Sequence, residues 1–317
     1  MDPTCGFEGE SDLYGLGIRI GVYLQWLTGL LVYVFYPEGY ADVSTTTLIF
    51  STAITIGTIV NSSERYASEI FIFLYLFLGG IFITVVLGEH SPYYGAKESR
   101  ISMFKLLCTV ACCFAGSVYS AWFWLEGLMT FFQQSPCGEN WGLVFRRVDL
   151  YSPGVYKAMG ALSCICAVSS GLGLLWFVKK AGVALYKKDR QALRTPRVDT
   201  GAQPTYQTGI GAKKTGSRDC HIDLTPLVGF AVFVHSVVGI ELTLRWNHIS
   251  DVYTIRSLGQ LIPFVIAVVE FLRFAFKLGK KWRKQRSSAR DDHDEDVEYV
   301  AAASKRPLTI TADDSEA

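Results

Sequence analysis

Two apolar runs near the end of the chain, and the charged break between them, decide the fold. The first reads Gly239-Ile-Glu-Leu-Thr-Leu-Arg-Trp-Asn-His-Ile-Ser-Asp251, and the second reads Ser257-Leu-Gly-Gln-Leu-Ile-Pro-Phe-Val-Ile-Ala-Val-Val-Glu270. The first run carries Glu241 and Arg245 close to its end. Ionisable groups are costly at membrane depth, so each is expected to have a partner or a function. We therefore ask which other residues lie beside this pair.

The composition indicates a membrane protein. Half of the 317 residues are hydrophobic and 19% are charged, against roughly 25% charged in a typical soluble domain. Seven runs come close to the length of about 20 apolar residues that crosses a hydrocarbon layer. They lie near Leu16–Tyr36, Thr45–Val60, Glu69–Leu87, Phe104–Phe132, Val155–Val178, Leu224–Thr243 and Ser257–Leu278. A lone span must satisfy its own backbone groups, so each run is predicted to be a helix. The sequence therefore predicts an all-α, polytopic bundle of seven transmembrane helices.

Lysine and arginine predict the orientation of this bundle, because they accumulate in cytosolic loops. They are concentrated between the fifth and sixth runs and after the seventh. Seven spans place both regions on the same side. We therefore predict an outer or lumenal N-terminus and a cytosolic C-terminus. The acidic start of the chain has no basic leader, so a cleaved signal peptide is not expected.

The predicted domains are an outer strap (residues 1–15), the membrane domain (16–278) and a cytosolic tail (279–317) that is basic and then acidic. The loop 188–221 and the tail lack apolar periodicity and are predicted to be disordered. The tail and its flank should attract anionic lipids at about 1 kcal/mol per basic residue. The basic residues are Lys277, Lys280, Lys281, Arg283, Lys284 and Arg286.

The cysteines predict a disulfide rather than a metal site. On this topology Cys5 and Cys137 are the only two of the eight cysteines that lie outside the membrane on the oxidising side. We predict that a Cys5–Cys137 disulfide ties the strap over the mouth of the bundle. Cys108, Cys112 and Cys113 have no histidine or carboxylate at a ligand spacing, so they are interpreted as buried thiols. No metal or other cofactor is predicted.

Polar and aromatic residues gather at the outer ends of four of the spans. The set is Tyr14, Arg19, Trp122, Trp124, Glu126, Glu241, Arg245, Trp246 and Gln260, and the outer loop adds Asp149. Gly17 and Gly21 form a pair of small residues that permits close helix approach. Arg19 lies between them, so that it either extends outward to water or meets an acidic partner inside the bundle.

This polar set has two interpretations. Glu241 and Arg245 are four residues apart with the acid first, which favours an ion pair and a structural clamp. Alternatively, Glu241 or Glu126 stays protonated among aromatic rings and donates a proton to an apolar substrate. Aromatic faces would then stabilise the carbocation, as a membrane-embedded terpene cyclase requires. If Glu241 is paired with Arg245 or Arg19, Glu126 becomes the better candidate acid.

Several motifs are missing from the sequence. It has no nucleotide-binding loop, no HExxH and no Ser/His/Asp arrangement. These absences argue against ATP-driven transport and hydrolysis. It also has no basic surface with interleaved aromatic residues, so no nucleic-acid partner is expected.

Four segments resemble a large group of filamentous-fungal polytopic membrane proteins. They are Asp12-Leu-Tyr-Gly-Leu-Gly-Ile-Arg-Ile-Gly-Val-Tyr-Leu-Gln-Trp26, Arg147-Val-Asp-Leu-Tyr151, Ile240-Glu-Leu-Thr-Leu-Arg-Trp-Asn-His-Ile-Ser250 and Gly259-Gln-Leu-Ile-Pro263. The chain is also similar to the paxilline A-type integral membrane proteins of fungal indole-diterpene gene clusters, some of whose relatives are implicated as cyclases. This resemblance implies an endoplasmic-reticulum-type membrane and a prenylated, epoxidised substrate. It supplies no catalytic motif that could be matched residue by residue.

These observations lead to one functional hypothesis and two alternatives. The hypothesis is an indole-diterpene-type terpene cyclase of fungal secondary metabolism, which starts cyclisation by protonating an epoxide with Glu126 or Glu241. The first alternative is a seven-span receptor, sensor or structural protein without catalysis. The second is a small-solute or proton translocator. Each predicts a multi-pass protein of the endoplasmic reticulum or the plasma membrane.

Overall fold

The computed structural model describes residues 6–60, 65–87, 99–136, 138, 140–194 and 224–304. The chain divides into two compact units, Met1–Glu270 and Phe271–Ala317. The described helices are α1 (Ser11–Tyr14), α2 (Leu16–Phe35), α3 (Tyr40–Val60), α4 (Ala67–Ile81), α5 (Ser99–Trp122), α6 (Leu128–Thr130), α7 (Pro153–Arg194), α8 (Thr225–Trp246) and α9 (Leu258–Ser304). Short π-helical turns extend α4 at Phe82–Val86 and join α5 to α6 at Phe123–Gly127.

The helices agree with the predicted membrane bundle. Six helical segments of the described chain are long and apolar enough to cross a membrane. They are Ser11–Phe35, Pro37–Val60, Ala67–Val85, Phe104–Thr130, Pro153–Lys180 and Thr225–Trp246. The seventh predicted run forms the first part of α9. A helical membrane bundle is thus confirmed, while the count of seven spans and the orientation stay predictions.

Two helices continue where the sequence pattern predicts disorder. α7 runs on to Arg194, although the disordered loop is predicted from residue 188. α9 runs on to Ser304, through most of the predicted tail. α7 has no glycine or proline after Gly182, and α9 has none after Gly279. Both extensions are rich in Lys, Arg, Gln, Glu and Ala, which favour helix. Missing apolar periodicity therefore did not exclude a helix. Residues 195–223 and 305–317 lie outside the described residues.

The predicted close approach at Gly17 and Gly21 is confirmed. A Cβ atom added to Gly17 would lie 2.5 Å from the carbonyl oxygen of Gln260, and one added to Gly21 would lie 2.9 Å from that of Pro263. Real Cβ atoms do not approach backbone this closely. α2 and the start of α9 therefore pack backbone against backbone, which only small residues allow.

Small β-elements cover one end of the bundle. β1 (Phe7–Glu8) pairs in parallel with β4 (Ile249–Ser250). β2 (Trp141–Leu143) and β3 (Arg147–Asp149) form an antiparallel hairpin. Tyr66 and Gln133 form an isolated bridge. We call this the capped end: residues 6–19, 65–66, 133–136, 140–143, 147–152, 241–257 and 260. It joins the strap to the three loops that are assigned to the outer side.

We expect Gly17→Ala to lower the stability of the protein and Gly182→Ala to raise it slightly. The first adds a methyl group against the Gln260 carbonyl and should cost about 1–3 kcal/mol. The second lies in α7 with no atom within 4 Å of the new Cβ, so helix propensity should contribute up to about 1 kcal/mol. Thermal unfolding of the purified protein in detergent measures both. A Gly17→Ala protein as stable as the wild type would contradict the backbone contact.

Candidate functional site

Arg19 is the centre of the capped end and is completely buried. Its Nε lies 3.1 Å from Oε1 of Glu241 on α8. Its Nη1 donates to the carbonyl of Tyr14 at 3.2 Å. The Tyr23 hydroxyl donates to the same Glu241 oxygen at 3.0 Å, and the Tyr253 ring lies 5.5 Å from the guanidinium carbon. Arg19 therefore meets an acidic partner inside the bundle instead of reaching outward.

Glu241 pairs with α2 and not along its own helix. Arg245, the partner that spacing alone would favour, is exposed one turn further along α8. Arginine stays protonated in proteins, so a buried Arg19 needs a counter-charge. Glu241 supplies it as a carboxylate. This arrangement is the structural clamp, and it opposes the use of Glu241 as a proton donor.

Tyr253 forms the exposed side of the clamp. Burial raises the pKa of this tyrosine, while Arg19 and Arg245 act in the opposite direction. A raised pKa keeps its hydroxyl neutral at physiological pH. The ring therefore contributes an uncharged aromatic face beside the Arg19 guanidinium, a favourable cation–π geometry.

A second acid, Glu69, is buried and was not singled out from the sequence. It lies in the first turn of α4 and accepts a 2.5 Å hydrogen bond from the Tyr14 hydroxyl. Its other oxygen accepts the backbone N–H of Tyr66 at 3.0 Å, and Arg65 Nη1 lies 3.7 Å away. The reciprocal pairing with Tyr66 has the form of a capping box, but Tyr66 stands where the sequence signature needs Ser or Thr, so the spacing did not reveal it.

Tyr14 joins the two acidic clusters. Its carbonyl accepts from Arg19 and its hydroxyl donates to Glu69. Gln260, another predicted site residue, is also fully buried and lies against Gly15 and Gly17. The predicted residues Tyr14, Arg19, Glu241 and Gln260 are thus brought together at the capped end.

The tryptophans next to Glu126 contact aromatic residues outside the Arg19–Glu241 pair. Trp124 is fully buried, with its ring 5.9 Å from Phe71. Trp122 packs at 5.6 Å from Phe132. Glu126, in the π-helical turn between α5 and α6, is exposed. The prediction that Glu126 shares a site with Glu241 is therefore not supported by the contacts of the described residues.

The outer loop holds the remaining predicted residues. Trp246 lies 5.4 Å from the Arg147 guanidinium, which covers the Trp141 ring at 4.0 Å. Asp149 is exposed and accepts the backbone N–H of Tyr151 at 3.1 Å. Burial, and then the charge of Asp149, raises the pKa of Tyr151 to about 12. These contacts order the loop, and among the described residues no three His, Cys, Asp or Glu side chains form a metal-binding group.

A cavity of about 350 Å³ lies away from the capped end, among the end of α4, α5 and α7. We call it the intramembrane crevice. Its lining is Ile81, Thr84, Val85, Leu106, Thr109, Val110, Cys113, Ser169, Ser170 and Gly173. Ligand pockets usually measure about 300–1,000 Å³ and are mostly apolar, with a few polar groups. The crevice matches that description.

The hydroxyl groups of the crevice can accept hydrogen bonds but have little left to donate. Thr84, Thr109, Ser169 and Ser170 each donate to a carbonyl three or four residues earlier, at 2.7–3.0 Å. Their protons are used within the helices, and their lone pairs remain. The crevice therefore suits an apolar molecule that carries a hydroxyl or N–H donor.

Comparison with protein families, with curated proteins and with solved structures finds no match to this chain.

We expect replacement of Glu241 by Met to destabilise the protein by about 3 kcal/mol, because it leaves the buried Arg19 without a counter-charge. Replacing both residues, as Arg19→Met with Glu241→Met, should recover part of that loss, because an apolar pair needs no compensation. Arg245→Met is the matched control, and its exposed position predicts a change within about 0.5 kcal/mol. Thermal unfolding in detergent measures all three variants. A double variant no more stable than Glu241→Met alone would argue against the ion pair.

Proposed function

We propose that this chain is a seven-span membrane protein that binds an apolar small molecule in the intramembrane crevice and does not transform it. The size and lining of the crevice carry the proposal. The proposal includes the predicted orientation, with the N-terminus outer or lumenal and the C-terminus cytosolic. Such a protein belongs to the receptor or sensor class. Its membrane is the endoplasmic reticulum or the plasma membrane.

The chemistry of the crevice defines the class of ligand. Apolar walls favour a hydrocarbon body, and hydroxyl oxygens without spare protons favour one donor group on it. A prenyl alcohol meets both conditions. The resemblance to paxilline A-type proteins also implies a prenylated molecule, which is consistent with this choice.

Proton-initiated cyclisation fits the geometry less well. The reaction needs a protonated carboxylic acid in contact with the epoxide. Glu241 forms an ion pair with Arg19, and Glu126 is exposed. The lining of the crevice includes no carboxylic acid. These three observations favour binding over catalysis.

A photoreactive geranylgeraniol that carries a diazirine tests the binding proposal on the full-length protein in lipid nanodiscs. We expect the probe to label α5 and α7. Gly173→Phe should lower the affinity for the probe, and with it the labelling, about tenfold, which corresponds to about 1.4 kcal/mol of binding free energy. A Cβ at Gly173 would have only Val110 nearby, at 3.9 Å, so the larger ring extends into the crevice. Gly182→Phe, on the same helix in open space, should label like the wild type.

Competition separates the role of the donor group from that of the hydrocarbon. Excess geranylgeraniol should displace the probe at least fivefold better than its methyl ether, which lacks the proton, because one hydrogen bond contributes about 1 kcal/mol. Equal labelling of Gly173→Phe and wild type would remove the proposal. A second outcome would also remove it. In a heterologous fungus supplied with an epoxidised prenyl-indole, a cyclised product would form with the wild-type protein and disappear with Glu126→Gln or Glu241→Gln at unchanged protein level.

The proposal also keeps the Cys5–Cys137 disulfide, whose two residues lie outside the described residues. Their neighbours support it. A Cβ on Gly6 would meet the His248 carbonyl at 2.5 Å, and Trp141 bonds the adjacent Asn247. We expect non-reducing mass spectrometry of the native protein to find the linked peptides. Free thiol at both cysteines would exclude the bond.

A further inference from the structure

The tip of the β2–β3 hairpin extends from the capped end along α8. At the start of β2, the Asn247 side chain accepts the Trp141 N–H at 2.9 Å and donates to its carbonyl at 2.7 Å. Beyond the end of β2, the Phe145 ring stacks on the His235 ring, with 6.2 Å between centroids and 28° between planes. The hairpin thus lies against α8 from residue 247 to residue 235.

His235 lies in the middle of the helix. α8 has 22 residues, Thr225–Trp246, and a rise of about 1.5 Å per residue puts His235 roughly 15 Å from either end. α8 is also one of the helices long and apolar enough to cross a membrane. The aromatic tip of the hairpin therefore reaches the depth of a mid-span residue.

Backbone at that depth has to be satisfied by protein, because lipid offers no hydrogen bonds. Alternate residues of a strand present their backbone groups to the same edge, and here Trp141 and Leu143 face the helices. The Asn247 side chain bonds the N–H and the carbonyl of Trp141, and the Tyr75 hydroxyl donates to the carbonyl of Leu143. Two side chains thus bond these three backbone groups along this edge.

His235 completes the arrangement. Its Nε2 lies 3.1 Å from the Tyr75 oxygen. The single proton of that hydroxyl is given to Leu143, so Nε2 has to be the donor in the second bond. The histidine supports Tyr75, which in turn holds the strand.

Exposed apolar side chains lie around the hairpin tip, beside the exposed Arg146 and Arg147. Phe145 is 95% exposed. On α8 the exposed residues Phe230, Val234 and Val238 recur every fourth position and form a stripe beside His235. Arg146, also exposed, has a side chain long enough to extend back toward the capped end. The tip therefore continues an apolar face of a membrane-crossing helix.

We infer that the β2–β3 hairpin is a re-entrant membrane element, and that Phe145 at its tip contacts phospholipid acyl chains. The inference rests on the depth of His235, the side-chain bonds of Asn247 and Tyr75 to the edge of β2, and the exposure of Phe145. It does not depend on a ligand in the intramembrane crevice.

Photocrosslinking from the tip tests the inference. Benzoylphenylalanine replaces Phe145 in the full-length protein, in phosphatidylcholine nanodiscs, and intact-mass spectrometry counts adducts after irradiation. Because Phe145 is 95% exposed, the replacement should not disturb folding. We expect phospholipid adducts as frequent as those from Trp176, exposed on α7, and at least fivefold more than from Tyr253 in the loop after α8. Adduct levels no higher than those of Tyr253, or adducts to another polypeptide, would overturn it.

A second pair of variants tests how the hairpin is held. Tyr75→Phe removes the donor to Leu143, and it should lower phospholipid adducts at position 145 at least threefold. Tyr119→Phe is the matched control, since its buried hydroxyl has no hydrogen-bond partner among the described residues. Equal adduct levels in both variants would show that Tyr75 does not position the hairpin.

Discussion

The ion pair between Arg19 and Glu241 is the constraint on which the capped end depends. A fully buried guanidinium cannot lose its proton, so the fold must keep a carboxylate beside it. This requirement ties α2 to α8. The glycines on either side of Arg19 bring α2 against the backbone of α9. One residue and its neighbours therefore set the packing of three helices.

The second acid extends the same logic to the strap. Tyr14 is bonded through its carbonyl to Arg19 and through its hydroxyl to Glu69, so the strap is held by both clusters. Glu241, which is partly exposed, and the buried Glu69 are thus both engaged in structural contacts. The chemistry that a ligand could use lies elsewhere, in the intramembrane crevice, where a π-helical turn contributes Thr84 and Val85. Such turns are frequent at functional sites.

Glu126 shows why part of the candidate site could not be predicted. Its α-helical spacing from Trp122 suggests a shared face, but residues 123–127 form a π-helical turn. That turn holds one more residue than an α-helical turn, so side-chain directions no longer follow the period of 3.6. The extension of α9 through its charged tail was not predicted either. The helix propensity of its residues favours a helix there, and propensity leaves no apolar period in the sequence.

The sequence alone determined that this chain is a helical membrane bundle, because a hydrocarbon layer accepts only long apolar segments that satisfy their own backbone. It also determined the close contact at Gly17 and Gly21, since small residues leave room for another backbone. Only the tertiary structure decided that Glu241 pairs with Arg19 and not with Arg245, and that Glu126 is exposed. An ion pair between helices depends on the rotation and depth of both, and spacing within one helix does not specify either.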